Sequence, residues 1–315
     1  MNIGDWLPYS LPLIRPWQTS QGTISERQGR LFRLRSADGR IGWGDCAPFP
    51  EFGIDDNAAQ SFAEECAQLD LAAQVAGLPL NAFLSGNPAI GRIGVNAVLG
   101  SIATVDHEIL QKTVADGFTV IKLKAGIRDV DDEIAMLKRL ATGLPTGIQL
   151  HLDANGAWDM ALARRFVERC SGLPVEGLEE PLINPSHAAL AELQSMAEFP
   201  IAVDESVHLL DAQFFHHPPV RRLVLKPPRQ GSLLSCVELG LRARASGIEP
   251  IVSSSLESAC GVLACAQLAA AIAPHAIHGL ATTQWFVSNT GTLPEIRHGH
   301  LTMPAKPGIG FTFAG

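Results

Sequence analysis

Cysteine is sparse and unpatterned: six residues, at 46, 66, 170, 236, 260 and 265, with no C-x-x-C among them. That spacing excludes a zinc site or a disulfide framework and fits small buried side chains in a reducing compartment. Positive charge is also short. Lys and Arg number 24 against 32 Asp and Glu, a formal net charge of −8, and no block of like charge exceeds a few residues. Nucleic acid and anionic membrane surfaces are therefore excluded as partners. Long apolar runs are missing: the longest, 262–273, is too short to span a bilayer and contains Gln267. The N-terminal stretch carries Asp5 and no basic region, so no secretory leader is visible and a cytoplasmic location is expected. There is one tyrosine, no low-complexity tract and no H-x-x-x-H pair among the ten histidines. What remains is 315 residues, 46% hydrophobic and 18% charged, enough for one large domain or two modest ones.

Against that plain background, charged clusters recur at the ends of short apolar, β-branched runs. They are T-V-I-K-L-K-A-G at 119–126, L-D-A-N at 152–155, E-E-P at 179–181, D-E-S at 204–206 and L-K-P at 225–227. Lys124 to Asp153 is 29 residues, Asp153 to Glu179 is 26, Glu179 to Asp204 is 25 and Asp204 to Lys226 is 22. A strand–helix unit of a (β/α)8 barrel takes roughly 25–30 residues, since about 250 make eight units. Polar groups at that period, each at a strand end, converge on the C-terminal mouth of one barrel. Three acids there suit a hard cation, and flanking amines suit proton transfer.

Strand alternation selects which residues face the axis. With Asp153 inward, His151 is inward too, while Leu150 and Leu152 face the outer helices. Glu179 and Gly177 point in and Leu178 out; Asp204 and Ala202 point in, Ile201 and Val203 out. Lys226 and Val224 point in, as do Lys122 and Lys124. Ordinary solvated strand ends would not agree in both parity and period.

Residues 1–92 read differently, as an α+β capping domain. Strands are expected at 27–35 and 39–45, joined by the turn S-A-D-G, with a helix over 55–75. Two loops, W-Q-T-S-Q-G at 17–22 and A-P-F-P-E-F-G at 47–53, are candidate covers for the mouth, with Phe49 and Phe52 in the second. Residues 93–290 read as a (β/α)7β form of the TIM barrel, its first strand at 93–99 and the others alternating with helices. The segment 291–315 is expected to return to the capping domain.

These motifs resemble the enolase superfamily, in its muconate-lactonizing subgroup. T-V-I-K-L-K is similar to the K-x-K motif of the second barrel strand. L-D-A-N-G-A-W, L-E-E-P and V-D-E-S are similar to the three metal-ligand strands, and L-K-P to the lysine of the sixth. I-V-S-S-S-L-E-S-A-C-G at 251–261 and H-G-L-A-T-T-Q-W-F at 278–286 look most like the o-succinylbenzoate synthases. The resemblance implies abstraction of a proton α to a carboxylate, followed by syn dehydration of a small-molecule carboxylate. It implies Mg2+, with Mn2+ able to substitute, on Asp153, Glu179 and Asp204. Lys124 is the implied general base. Lys122 binds the substrate carboxylate or tunes its neighbour. Lys226 is a second acid–base or a fixed cation, or alternatively a barrel lysine paired with Asp204 or Glu205. Ser253 and Ser254 hold a carboxylate or make a plain turn. From its place in the lumen, His151 is expected to be a satisfied packing residue and not a ligand.

The same scaffold supports N-acylamino-acid racemases, dipeptide epimerases and muconate-type cycloisomerases. The stretch 279–283 has no acid for a substrate ammonium, which weighs against a free amine. An aldolase with a Schiff base on Lys226 would not need three inward acids. A non-catalytic metal scaffold would have no use for two lumen amines. Oligomeric state is not specified by these patterns.

Overall fold

The protein is described here by a computed structural model covering residues 3–19 and 22–315. Strands β1 (Ile3–Thr19), β2 (Gly22–Arg35) and β3 (Ile41–Cys46) form an antiparallel sheet in that order, beside helices α1 (Asp56–Ala76) and α2 (Leu80–Ser85). Helix α1 begins where the Asp55 side chain accepts the Ala58 amide and stops at Gly77 in the left-handed region. The glycines of β3 let that helix lie directly on the strand. A Cβ at Gly44 would stand 1.9 Å from the Ala63 carbonyl oxygen, and one at Gly42 2.1 Å from that of Ala67.

Strand β1 is a correction to the sequence reading. The stretch from Trp17, expected as a loop, is strand as far as Thr19, and residues 20–21 at its tip lie outside the described residues. Pro8, Pro12 and Pro16 conceal the strand, yet it is the sheet edge, where a missing N–H costs no ladder bond.

The barrel begins with β4 (Arg92–Val95) and β5 (Ala97–Ser101). It continues through α3 (His107–Ala115), β6 (Val120–Lys124), α4 (Val130–Thr142), β7 (Gln149–Asp153) and α5 (Met160–Arg169). Next come β8 (Val175–Glu179), α6 (His187–Met196), β9 (Ile201–Val203), α7 (Ala212–His216) and β10 (Arg222–Leu225). Helices α8 (Pro227–Gln230) and α9 (Leu233–Ala245), β11 (Glu249–Val252), α10 (Ala259–Ile272) and β12 (Ile277–His278) complete it. Strands β5 to β11 lie side by side in chain order, all parallel. Strand β12 closes the ring: Gly279 bridges Ser253 on one side, and β12 pairs with β4 on the other.

The expected single first strand, 93–99, is thus two pieces. They meet at Asn96, whose amide donates to the His278 carbonyl of β12 and so carries the β4–β12 pairing to the end of β4. The His278 ring also serves the closure. Its Nδ1 accepts the Val252 amide at 3.0 Å and its Nε2 donates to the Ala273 carbonyl at 3.0 Å. Burial in this apolar seam pushes its pKa down to about 4, against a weaker upward pull from Ala273.

Two separate apolar clusters confirm the parity of the strands. Leu150, Leu152, Leu178, Ile201, Val203, Leu223 and Leu225 belong to the large core shared with the helices. Ala202, Val224, Ile251 and Ala276 form a small one, the apolar floor of the lumen. The chain ends by crossing back. Strand β13 (Glu295–Arg297) pairs with β14 (His300–Thr302), and β14 with β4. Phe311 and Phe313 then lie 5.6 and 5.3 Å from the Trp43 ring of β3. Among the described residues no helix is long and apolar enough to cross a membrane.

Candidate active site

The parallel register fixes where the charged side chains stand. Lys124 is opposite Asp153, and Asp153 is opposite Glu179. Glu179 is opposite Ala202, so Asp204 follows two residues further on the same face. Leu225 is opposite Val252, which sets Lys226 beside Ser253. All the residues expected at the mouth are therefore brought together, from six consecutive strands.

Their contacts divide the three lysines. Lys122 lies 2.8 Å from Asp153 Oδ2 and 2.7 Å from Glu179 Oε2. Burial opposes its charge, but these two carboxylates hold its pKa well above the ordinary lysine value. Its ammonium is thus committed to acids. Lys226 pairs with Asp204 Oδ2 and lies 5.6 Å from the centre of the Phe52 ring. Lys124 makes no side-chain ion pair or hydrogen bond among the described residues and is only partly buried. Asp204 is held from a further side that the sequence did not suggest. Arg229, in the first turn after Lys226, donates Nη2 to Asp204 Oδ1 at 2.6 Å and to its carbonyl oxygen.

Among the described residues no group of His, Cys, Asp or Glu side chains is gathered tightly enough to form a ready-made ion site, because the acids are drawn to these cations instead. The donor set still fits a hard divalent cation. Three carboxylates stand on neighbouring strand ends without a thiol, and Glu179 Oε1 is buried with no hydrogen-bond partner. An unpartnered carboxylate oxygen at such depth is costly unless a cation or donor meets it.

The comparisons with known proteins agree with this arrangement. Residues 105–314 match the Enolase C-terminal domain-like family. The chain belongs to the enolase superfamily. An o-succinylbenzoate synthase of Pectobacterium atrosepticum is 30% identical over 291 residues, covering 87% of this chain and 88% of that protein. Among solved structures, the L-Ala-D/L-Glu epimerase from Bacillus subtilis superimposes with a TM-score of 0.90 at 21% identity, covering 99% of each chain. A dipeptide epimerase from Cytophaga hutchinsonii, complexed with Mg and D-Ala-L-Val, gives 0.84 at 21%, covering 99% of this chain and 95% of that one.

The rest of this superfamily site is scaffold. Glu180, at φ 41°, turns its carboxylate to the Asp204 amide at 2.7 Å and to the Ser206 hydroxyl, and so shapes the bend that carries Asp204. Asn155, at φ 44°, caps Asp153 with its amide and reaches Glu205 with its side chain. Glu133, fully buried on α4, accepts the amides of Gly126, Ile127 and Arg128 and fixes the loop that follows Lys124. Only its position in the first turn of a helix, seven residues past Gly126, hints at this in the sequence.

The serines separate. The Ser254 hydroxyl is consumed within the turn, donating to Glu257 and accepting from Thr282 and Leu256. Ser253 keeps its hydroxyl on the inward face, where Gly279 leaves room; a Cβ at Gly279 would stand 2.6 Å from it. Phe49 is buried, with the Arg27 guanidinium 4.1 Å from its ring, and Phe52 packs 4.3 Å from Phe49 on the side toward Lys226. His151 is buried in the lumen with both ring nitrogens satisfied, and its partners are carboxylates. It hydrogen-bonds Glu176 through Nδ1 at 2.8 Å and Glu179 through Nε2 at 2.9 Å.

Proposed function

We propose that this enzyme is a Mg2+-dependent o-succinylbenzoate synthase, dehydrating 2-succinyl-6-hydroxy-2,4-cyclohexadiene-1-carboxylate. The observation that carries the proposal is the division of the lumen lysines: Lys122 and Lys226 are ion-paired, and Lys124 is not. One free amine opposite one fixed cation suits a one-base elimination. The o-succinylbenzoate synthase of Pectobacterium, similar along nearly the whole chain, supports the same reading.

Asp153, Glu179 and Asp204 would hold the cation, with Mn2+ as a substitute, and bound there it would offset the charge that grows on the substrate carboxylate. Lys124 takes the proton α to that carboxylate. The C–H electron pair forms the new ring double bond as the C–O bond to the 6-hydroxyl breaks. The same nitrogen then returns its proton to the departing oxygen, so water leaves, the ring becomes aromatic and the base is regenerated. Lys226, pinned by Asp204 beneath Phe52, stabilises the anionic ring as a cation. Ser253 is the available hydroxyl for the substrate's second carboxylate.

A racemase or epimerase of N-acylated amino acids is the second reading, favoured by the overall likeness to the Bacillus epimerase. It needs a proton carrier on each face, and the Asp204 pairing of Lys226 disfavours that. The test is turnover of the cyclohexadiene beside deuterium exchange into N-succinyl amino acids. Dehydration that is lost with chelator and regained with Mg2+ or Mn2+ is expected. Exchange into both enantiomers without dehydration would replace the first reading with the second. Borohydride trapping of a carbonyl substrate on Lys226 would instead point to an aldolase.

A further inference from the structure

A buried charge network inside the barrel takes no part in the proton transfers above. It begins at Glu249, at the start of β11, where the carboxylate is 44% exposed. Arg222 spans from there into the lumen. It donates Nε and Nη2 to Glu249 Oε2 at 2.8 and 2.7 Å, and it pairs through Nη1 with Glu176 Oε2 at 2.8 Å. The other oxygen of Glu176 meets His151 Nδ1 at 2.8 Å, and His151 Nε2 meets Glu179 Oε2 at 2.9 Å. Arg222 Nη1 also stands 3.4 Å from His151 Nδ1, so the guanidinium, Glu176 and the ring form one contiguous set of contacts.

The backbone is shaped for this chain of contacts. Leu150 is opposite Val175, but His151 is opposite Gly177, so Glu176 is an extra, unpaired residue in β8. A bulge of this kind re-aims a side chain, here into the lumen. Gly177 leaves room for these contacts: a Cβ there would stand 2.5 Å from Arg222 Nη1 and 3.2 Å from His151 Nδ1 and would displace the guanidinium. At the far end, Glu179 has Oε2 shared by His151 and Lys122, while Oε1 is buried without a partner.

We infer that His151, backed by Glu176 and Arg222, is a positioning residue that fixes Glu179 with one oxygen occupied and the other reserved for a divalent cation. The inference rests on the reading of Glu179 as a metal ligand. Removing His151 loosens cation binding, because Glu179 Oε2 is then left to Lys122 alone and the carboxylate can turn. Groups that orient a ligand from behind are typically worth about 10–100-fold in metal affinity.

The test is Mn2+ binding to the purified full chain, read from free Mn2+ by electron paramagnetic resonance, with a thermal melt on each variant. His151→Leu is expected to weaken binding by about 10–100-fold. His151→Gln, which keeps a donor for Glu179, is expected to restore most of the loss. Glu176→Gln, which keeps the shape but cuts the charge tie, is expected to weaken binding by a smaller factor. Unchanged or tighter binding in His151→Leu, with the parent chain binding normally, overturns the relay and leaves the metal site standing. If His151→Leu does not fold, unchanged binding in Glu176→Gln overturns it. A parent chain that binds no Mn2+ overturns the metal reading itself.

Discussion

At the scale of the residue, the lumen shows how neighbours divide labour among identical side chains. The three lysines differ only in what stands beside them. Lys124→Ala should therefore remove dehydration and α-proton exchange together. One positioned acid–base group is worth about 10²–10⁴-fold per step, and the proposed elimination assigns both transfers to Lys124, so a fall of at least about 10⁴-fold is expected in both assays. Lys226→Arg keeps a cation opposite Asp204 and should retain measurable dehydration, reduced by arginine's different shape. Blocked exchange from one enantiomer alone would instead mark Lys226 as a proton carrier. His278 gives a pH prediction. Its folded-state pKa is depressed to about 4 against an ordinary 6.5, so the neutral ring stabilises the fold above the unfolded pKa. That stability is lost as pH falls from about 6.5 to about 4, roughly 3 kcal/mol in all. His278→Gln keeps an acceptor for Val252 and a donor for Ala273 but cannot titrate. Denaturant melts across this window should show a flatter loss for the variant than for the parent.

At the scale of the element, the close contact of β3 with α1 is the least forgiving feature. Gly44→Ala would drive a methyl group into the Ala63 carbonyl, a backbone atom that cannot rotate away. Overpacking of this kind costs about 1–3 kcal/mol, and more where only backbone can yield, so Gly44→Ala should lower the melting temperature far more than Gly91→Ala, whose Cβ meets nothing within 4 Å and whose φ is not in the left-handed region. The difference between the two melts is the measure, since both remove a glycine and only one removes space. Strand β1 makes a complementary point. Local propensity argues against a strand with three prolines, and the edge position is what admits it.

At the scale of the whole molecule, the cap is bolted to the barrel by buried polar groups. Arg27 donates to the carbonyls of Ala47 and Pro48 at 2.9 and 3.0 Å and to that of Leu256 at 3.4 Å, joining the 47–53 loop to the turn after β11. Asp45 accepts the Tyr9 hydroxyl at 2.7 Å and the Ser258 amide at 2.8 Å, a second tie between the sheet and α10. The loop that carries Phe52 over Lys226 is therefore held in place from behind. Arg27→Ala should lower kcat/KM for the proposed cyclohexadiene substrate while leaving Mn2+ affinity unchanged, because the acids proposed to hold the metal lie on barrel strands that Arg27 does not touch. Equal affinity with reduced turnover is the expected pattern; a parallel loss of Mn2+ binding would show that the roof and the acids are one cooperative unit.

The parity and period of the motifs were enough to place Lys122, Lys124, Asp153, Glu179, Asp204 and Lys226 on one axis, because strand alternation and the strand–helix repeat are local properties written in single segments. The same locality places helices over 130–141, 158–171, 186–197, 231–246 and 259–272, within a few residues of α4, α5, α6, α9 and α10, whereas the short α7 and α8 carry too few turns to show a period. What the sequence could not decide is pairing. Whether Lys122 faces a substrate or two carboxylates, whether Ser254 is free or spent on Glu257, and which cation holds Asp204 depend on residues tens of positions apart. The bulge at Glu176 and the break at Asn96 belong to the same class. Each is a response to a neighbouring strand: Gly177 must clear Arg222 and His151, and Asn96 must serve the closure at His278. These are set by the closed barrel, in which every strand end is held against two others, and no single segment carries that constraint.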